Sequence, residues 1–332
     1  MAATPEDTIH ETARDACRLW PIEPGKPELL KFRENGVFRV RLRTGQPAAL
    51  RIHRLGYHSD AALRSELQWM AYLRSSGIEA PEPIASERGD FLAHVIAPDG
   101  KPRQVDCLSW LDGQTLGQAA VPLPHTDERL GEIFHALGKT IALMHNATAR
   151  WQKPPGFERH RWDFAGFFGE NPTWGPFHTS PLLDVAGRDV VARGRAKAMN
   201  LLSSYHTTDR NVGLIHADLV RENLLVSGKD VKLIDFDDCG YGWHMYDLGV
   251  ALYQNRIEPA YPLIEEALLD GYRSRRELSE ADLEMLPTFV ALRAFALLGW
   301  MQSRMDNDTS RLAGAQISAL ACSAVQEYLD RA

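Results

Sequence analysis

The chain has 332 residues, of which 44% are hydrophobic and 24% are charged, so it is long enough for two domains or one large one and has an ordinary globular composition. Its formal net charge of -7 does not support a general nucleic-acid-binding function. Four widely separated cysteines argue against a zinc site or a disulfide framework. The N-terminus is polar and acidic with no apolar core region, and no window of the sequence reaches 18 uncharged apolar residues, so neither secretion nor membrane insertion is expected. We therefore expect a cytoplasmic protein with no nucleic acid and no membrane among its partners, while the oligomeric state stays open.

The first third of the chain has the pattern of a short helix at residues 12–19, followed by a small antiparallel sheet with one longer helix. Apolar and polar residues alternate on both sides of an Asn35-Gly36 turn, and the same alternation returns in three later runs. A single run with apolar side chains at helical spacing ends at Gly77. The predicted strands are residues 29–43, 47–55, 91–96 and 103–111, and the longer predicted helix is residues 60–77.

The remaining two thirds are mainly helical. Residues 151–182 interrupt the helical pattern with aromatic residues, prolines and glycines, which is typical of a loop that packs against a domain or lines a pocket. Asp247 lies where it can cap the N-terminus of an apolar helix. The predicted helices are residues 128–148, 185–205, 247–254, 259–274, 279–305 and 309–330.

Residues 213–248 concentrate polar side chains of catalytic type. Two apolar runs, 224–226 and 231–234, flank a glycine-containing turn and predict a hairpin. Antiparallel pairing about this turn brings Asn223 to within about one residue of the position opposite Asp235. Both side chains are therefore expected at the open end of the hairpin.

These side chains have the composition of a phosphoryl-transfer site. The oxygens of Asn223 and Asp235 suit Mg²⁺, whose coordination is usually completed by substrate phosphates and water. Asp218, five residues before Asn223, is then available to accept a proton, as the catalytic-loop Asp of kinases does. Alternatively, Asp218 and Asn223 cap turns and His216 is a hydrogen-bonded core histidine. Capping does not require a second carboxylate across the hairpin, so we favour the catalytic interpretation.

The stretch resembles the aminoglycoside phosphotransferase and choline kinase superfamily, and within it the bacterial stress response kinases and type II homoserine kinases. His216-Ala217-Asp218, the run Ile-Asp-Phe-Asp-Asp at 234–238, and Tyr246-Asp247-Leu248 carry the resemblance. The likeness extends roughly from Asn35 to Arg304.

The resemblance implies an α+β, two-lobed protein kinase-like fold. A small antiparallel-sheet lobe at residues 1–108 would bind the nucleotide. A larger, mainly helical lobe at residues 109–332 would carry out catalysis and bind the acceptor. ATP and Mg²⁺ are the implied cofactors.

The resemblance also implies nucleotide-binding residues in the first lobe. Gly36 would lie over the ATP phosphates, or would only form a hairpin turn. Arg51 stands where most kinases have the lysine that pairs with the α- and β-phosphates, and Glu66 would be its carboxylate partner unless it is a solvated helix residue. Backbone groups of Ser109 and Leu111 would hydrogen-bond the adenine edge.

In the second lobe, the resemblance implies that Asp247 supports the backbone of the catalytic loop. Residues 151–182 would form part of the acceptor wall. Trp300 and Arg304, one helical turn apart, would line the acceptor pocket, or the tryptophan would pack and the arginine would be solvated. His145 matches a common family position, but packing is the favoured explanation for it.

The predicted function is an ATP- and Mg-dependent kinase that phosphorylates a hydroxyl of a small molecule of the aminoglycoside, homoserine or choline-like class. A serine/threonine protein kinase of the stress response type is the first alternative. A non-catalytic pseudokinase is the second, because Arg51 replaces the usual lysine and the phosphate loop has one glycine. A metal-dependent hydrolase requires a second His-Asp metal set, which is not apparent.

Overall fold

The computed structural model describes residues 5–32, 35–305 and 308–331, and the chain divides into two compact units. The first unit contains residues 1–113 and 151–159, and the second contains residues 114–150 and 160–332. The predicted division at residue 108 lies close to the first boundary, whereas the return of residues 151–159 to the first unit was not predicted. The functions assigned to the two lobes stay predictions.

The first unit is built on an antiparallel sheet with strand order β1-β2-β3-β5-β4. Its elements are α1 (Pro5–Ala16), β1 (Glu28–Phe32), β2 (Gly36–Arg41), β3 (Pro47–Ile52), α2 (Asp60–Ser75), β4 (Ala93–Ile96) and β5 (Pro102–Ser109). Buried Phe38 and Val40 alternate with exposed Arg39 and Arg41 along β2, because successive side chains of a strand point to opposite faces. The buried face forms one apolar core with Ile9 of α1.

The second unit combines two small sheets with a set of longer helices. The strand orders are β10-β9-β6 and β7-β11-β8. The strands are β6 (Gln114–Thr115), β7 (His160–Trp162), β8 (Val212–Ile215), β9 (Leu224–Ser227), β10 (Asp230–Leu233) and β11 (Gly240–Trp243). The helices are α3 (Asp127–Ala149), α4 (Phe164–Phe168), α5 (Val185–Ser204), α6 (His244–Tyr253), α7 (Tyr261–Arg273), α8 (Glu280–Gln302) and α9 (Asp308–Asp330). The sheet-rich first unit and the mainly helical second unit confirm the predicted α+β class.

The backbones of α3 and α7 lie very close together at two glycines. A β-carbon at Gly138 would lie 2.0 Å from the carbonyl oxygen of Leu268, and one at Gly271 would lie 2.0 Å from that of His135. Neither distance is compatible with a side chain, so both glycines are required by the packing.

Helix α8 forms the apolar centre of the second unit. It begins with a capping box, in which Ser279 and Asp282 bind each other's backbone amides. By length and composition α8 alone among the described helices could span a membrane, but 72% of its apolar window is buried inside the protein. Such burial is typical of the core helix of a globular domain.

Candidate active site

The predicted hairpin is formed by β9 and β10, and it places Asn223 and Asp235 at its open end. Leu224 pairs with Leu233, and the amide of Ile234 donates to the carbonyl of Asn223 at 3.0 Å. Asp235 is therefore one residue beyond the position opposite Asn223, which confirms the predicted register.

Both carboxylate oxygens of Asp218 accept hydrogen bonds from neighbouring side chains. Oδ1 accepts a hydrogen bond from Nη2 of Arg293 at 2.6 Å, and Oδ2 accepts one from Nδ2 of Asn223 at 2.8 Å. The side chain keeps 19% of its surface exposed, whereas that of Arg293 is buried. Asp218 is thus both fixed in orientation and accessible, as a base that acts on a bound hydroxyl must be.

The backbone just before Asp218 is strained and is held by Asp247. Ala217 has a φ of 65°, in the left-handed region that is unfavourable for a residue with a β-carbon. Oδ1 of Asp247 accepts the amide of Ala217 at 2.7 Å, and Oδ2 accepts the amide of His216 at 3.0 Å. This geometry agrees with the loop-supporting role that the resemblance implied for Asp247. The expected N-cap function is wrong, because α6 begins earlier, at His244, with Trp243 as its N-cap residue.

Asp247 is in turn oriented by a buried histidine. Nε2 of His145 lies 3.0 Å from Oδ2 of Asp247, and its Nδ1 lies 2.9 Å from the hydroxyl of Tyr272. Burial lowers the pKa of His145 well below its usual value, so the ring is neutral. Nε2 then donates to the carboxylate while Nδ1 accepts from the tyrosine. Packing alone, the explanation favoured from the sequence, does not account for these bonds.

Burial also acts on Asp247 itself. It raises the pKa of this carboxyl group to about 6, against the opposing effects of His216 and of the two amides that it accepts. At neutral pH the group is therefore ionised and can accept all three hydrogen bonds.

His216 links the catalytic loop to the hairpin. Its Nε2 lies 3.1 Å from the carbonyl oxygen of Ile234, its Nδ1 accepts the amide of Asp218 at 3.3 Å, and its ring packs on Phe236. These contacts agree with the alternative interpretation of His216 as a buried, hydrogen-bonded histidine. They also fix the backbone on either side of the candidate site.

The amide of Asn223 and the carboxylate of Asp235 form a donor set that fits a hard divalent cation. Nδ2 of Asn223 donates to the carbonyl and the carboxylate of Asp218, so Oδ1 is left to act as a metal ligand. Asp235 has a φ of 64°, a second strained position next to the site. Among the described residues no group of three or more His, Cys, Asp or Glu side chains could hold a metal ion. Metal binding by Asn223 and Asp235 stays a prediction.

Arg221, between Asp218 and Asn223, anchors the catalytic loop and was not predicted. Its buried guanidinium donates to Glu258 at 2.6 Å, to Asn255 at 2.9 Å and to the carbonyl of Val121 at 2.6 Å. Its position inside the motif was visible in the sequence, but its partners lie far away along the chain.

In the first unit, Arg51 is buried and its guanidinium is shared by two carboxylates. Nε and Nη2 bind both oxygens of Asp106 at 2.8 and 2.7 Å, and Nη1 binds Glu66 at 2.8 Å. The predicted pairing with Glu66 is present, and Glu66 is fully buried, so the solvated alternative is wrong. Asp106 was not predicted, although it lies directly opposite Arg51 on β5.

Asp106 is a strongly stabilised carboxylate. Burial alone would raise its pKa, but Arg51 and His53, whose Nε2 lies 2.7 Å away, hold the pKa at about 2. The two bonds from Arg51 form a bidentate pair that fixes the plane of the guanidinium. Phosphate contact by Arg51 stays a prediction.

The other predicted nucleotide-binding residues have mainly structural contacts. Gly36 begins β2, and a β-carbon there would lie 2.7 Å from a side-chain carbon of Ile9, so packing on α1 requires glycine at this position. The amide of Ser109 donates to the carbonyl of Glu82 at 2.8 Å. Leu111 follows the end of β5. Adenine binding by Ser109 and Leu111, and phosphate contact by Gly36, stay predictions.

Several aromatic side chains of residues 151–182 are buried, and so is Arg304 just after α8. Trp162, Phe167 and Phe177 belong to the core of the second unit, which favours packing, and the acceptor wall stays a prediction. The guanidinium of Arg304 lies 5.0 Å from the ring centre of Trp300 and is buried, so the solvated alternative is wrong.

Comparison with known proteins identifies the family. Residues 29–280 match the phosphotransferase enzyme family. Amicoumacin kinase of Bacillus subtilis (strain 168) is 25% identical over 307 residues, which cover 89% of this chain and 85% of that protein. A homoserine kinase of Rhizobium rhizogenes (strain K84) is 30% identical over 243 residues, which cover 70% of this chain and 68% of that protein.

Solved structures give the same result. A microcompartment-associated aminopropanol kinase has a TM-score of 0.82 at 31% identity, with 96% of both chains covered. Amicoumacin kinase in complex with AMP-PNP, Ca²⁺ and Ami has a TM-score of 0.77 at 25% identity, with 97% of this chain and 93% of that chain covered. The predicted ATP-dependent phosphotransfer to a small-molecule hydroxyl group is thereby confirmed. The chain belongs to the phosphotransferase enzyme family.

Proposed function

We propose that this protein transfers the γ-phosphoryl group of ATP to the hydroxyl group of a small amino alcohol, with Mg²⁺ as the metal ion. The observation that carries the proposal is the arrangement at the open end of one hairpin. Asp218 is oriented there by Asn223 and Arg293, and Asp235 lies one residue beyond the position opposite Asn223.

Asp218 is the proposed base. The acceptor oxygen forms a bond to the γ-phosphorus, the bond from that phosphorus to the leaving ADP oxygen breaks, and the hydroxyl proton passes to the Asp218 carboxylate. A carboxylate offers about four lone-pair positions, so the bonds from Arg293 and Asn223 leave room for the acceptor hydroxyl.

Asn223 and Asp235 are the proposed ligands of Mg²⁺. The metal ion would neutralise charge on the phosphates, which is its usual role in phosphoryl transfer. The presence of a nucleotide analogue with Ca²⁺ in amicoumacin kinase supports the use of a divalent ion by this family. The first unit is the proposed nucleotide-binding lobe, and the cytoplasm, which supplies ATP, is the proposed location.

The amino-alcohol class is supported by what related proteins phosphorylate. Homoserine and aminopropanol each carry an amino group and a hydroxyl group on a short carbon chain. The net charge of -7 also favours a cationic acceptor over an anionic one.

The proposal is tested by measuring ADP release with a panel of acceptors. We expect turnover with 1-amino-2-propanol, homoserine, choline or an aminoglycoside, and much less with 1,2-propanediol, which lacks the amino group, or with casein as a protein acceptor. Equal kcat/KM for the amine and the diol would refute the amino-alcohol class. Omitting Mg²⁺, or replacing it with Ca²⁺ or Mn²⁺, identifies the metal ion.

The base is tested with Asp218→Asn. We expect nucleotide affinity to be kept and kcat to fall by about 10²-fold or more, because a positioned base is lost. Asp230→Asn, which changes an exposed carboxylate of the same hairpin, serves as the matched control. Wild-type turnover in Asp218→Asn would remove the catalytic assignment.

A further inference from the structure

Arg293 is an unusual residue for its position in the fold. It is the single charged residue between Glu284 and Arg304, within the apolar sequence of α8. Its side chain is buried, and burial of a guanidinium is unfavourable unless the charge is paired. The charge that it pairs with is the carboxylate of Asp218, the proposed base.

The contacts of Arg293 fix its guanidinium from several sides. Nη2 donates to Oδ1 of Asp218 at 2.6 Å, and Nη1 lies 3.5 Å from the carbonyl oxygen of Ala217. The guanidinium carbon lies 4.9 Å from the ring centre of Trp174, whose Nε1 donates to Asp238 at 3.1 Å. The arginine thus contacts both the base and the strained peptide before it, from a rigid helix.

We propose that Arg293 is a positioning residue for the phosphoryl-transfer step, which fixes the carboxylate plane of Asp218 so that one lone pair faces the acceptor hydroxyl. Asn223 holds the other oxygen of the same carboxylate, and it is also a proposed metal ligand. Arg293 therefore provides the restraint that is independent of the metal ion. The inference rests on the proposed role of Asp218 as the base.

A planar guanidinium is needed for this role because it presents parallel N–H groups in a fixed plane. A lysine ammonium is a point charge on a flexible chain and cannot contact Asp218 and the carbonyl of Ala217 in the same way. Charge alone is therefore insufficient, which separates positioning from simple neutralisation of the carboxylate.

The test uses Arg293→Ala and Arg293→Lys in the full chain, with ADP release from 1-amino-2-propanol, or slow ATP hydrolysis, as the assay. We expect kcat to fall by about 10²-fold in Arg293→Ala while KM for ATP changes little, because a misplaced base affects the chemical step. Added guanidinium chloride should restore part of kcat in Arg293→Ala, and sodium chloride at equal ionic strength should not. Arg293→Lys should be impaired despite its retained charge.

Arg256→Ala is the matched control, because Arg256 makes a bidentate contact with Glu327 at 3.0 and 2.7 Å that involves no proposed catalytic group. It should keep wild-type kcat and show no response to guanidinium. Wild-type kcat in Arg293→Lys, or absence of guanidinium rescue in a folded Arg293→Ala, would overturn the proposal. If Arg293→Ala does not fold, Arg293→Lys decides alone, since positioning predicts lower kcat at unchanged melting temperature.

The outcome for Asp218 separates this inference from the proposed function. If Asp218→Asn is inactive while both Arg293 variants behave as wild type, only the positioning role fails. If Asp218→Asn keeps its turnover, the proposed function fails with it.

Discussion

At the residue scale, Asp247 determines where the catalytic loop places Asp218. Its two oxygens accept the amides of His216 and Ala217, and an asparagine would present an NH₂ group to one of them. We expect Asp247→Asn to lower the unfolding free energy by about 1–3 kcal/mol, because a buried donor loses its acceptor. The kcat should fall by about 10²-fold at nearly unchanged ATP affinity. Urea unfolding and calorimetric titration measure both effects, and an unaltered kcat would contradict this role.

The buried cluster around Arg51 gives a second prediction for a single residue. Asp106→Asn removes the negative charge that balances Arg51. It also removes one of the two carboxylate oxygens that accept hydrogen bonds from the guanidinium. We expect a loss of roughly 3–5 kcal/mol in unfolding free energy, the usual cost of breaking a buried ion pair. Asp189→Asn, which breaks an exposed pair with Arg193, should leave the urea midpoint nearly unchanged. Equal effects of the two variants would show that Asp106 is not required.

The pH dependence of this cluster follows from the pKa of Asp106. Its pKa of about 2 lies below the ordinary value of 3.8, so the cluster contributes stability above pH 3.8 and loses it as the pH falls toward 2. Asp106→Asn should abolish this part of the acid transition.

The core of the candidate site could be predicted from the sequence because it is local. Asp218, Asn223 and Asp235 lie within 18 residues, and a hairpin brings them together. Arg293 and Asp106 were missed because they reach their partners across 75 and 55 residues, respectively. Spacing within a segment carries no information about which distant helix or strand will pack against it.

At the element scale, the contact between α3 and α7 depends on glycine. We expect Gly271→Ala to destabilise the protein by several kcal/mol, because its β-carbon would overlap the carbonyl of His135 and force the helices apart. Gly131 lies in α3, and a β-carbon there would make only an ordinary contact at 3.9 Å. Gly131→Ala should therefore be neutral or stabilising, since alanine favours a helix by about 1 kcal/mol over glycine. Thermal unfolding measures both, and similar melting temperatures would show that the helices adjust.

The sequence predicted most helices to within a few residues, but it did not predict strand β11. This strand contains Gly240 and Gly242, and glycine is usually a turn signal. A β-carbon at Gly240 would lie 2.6 Å from the carbonyl oxygen of His160, so glycine is required by a close approach of another strand. Tertiary packing therefore overrides the local preference here.

At the scale of the whole molecule, two buried histidines predict how stability depends on pH. The rings of His145 and His244 stack at 4.3 Å, and burial lowers the pKa of both well below 6.5. Below pH 6.5 the unfolded chain binds protons that the folded chain excludes, so stability falls as the pH falls.

The size of this effect follows from the competing groups. At one pH unit below 6.5, each histidine lowers the unfolding free energy by about 1.4 kcal/mol. Asp247 acts in the opposite direction, because its raised pKa of about 6 favours the folded state on acidification. Its contribution is smaller than that of one histidine. We expect a net loss on the order of 1–2 kcal/mol between pH 7.5 and 5.5, measured by urea unfolding. His244→Phe should reduce this loss, and an equal loss in the variant would contradict the assignment.

The return of residues 151–159 to the first unit has a consequence for synthesis on the ribosome. Trp151 stacks on Tyr72 at 5.1 Å, the amide of Glu158 donates to Ser65, and Arg159 donates to the carbonyl of Ala62 at 3.0 Å. All three partners belong to α2, which is translated long before the segment that contacts it. The first unit can therefore reach its final packing only after α3, an element of the second unit, has already emerged. The first unit therefore does not fold as one uninterrupted N-terminal stretch of the chain, because its last segment is translated after part of the second unit.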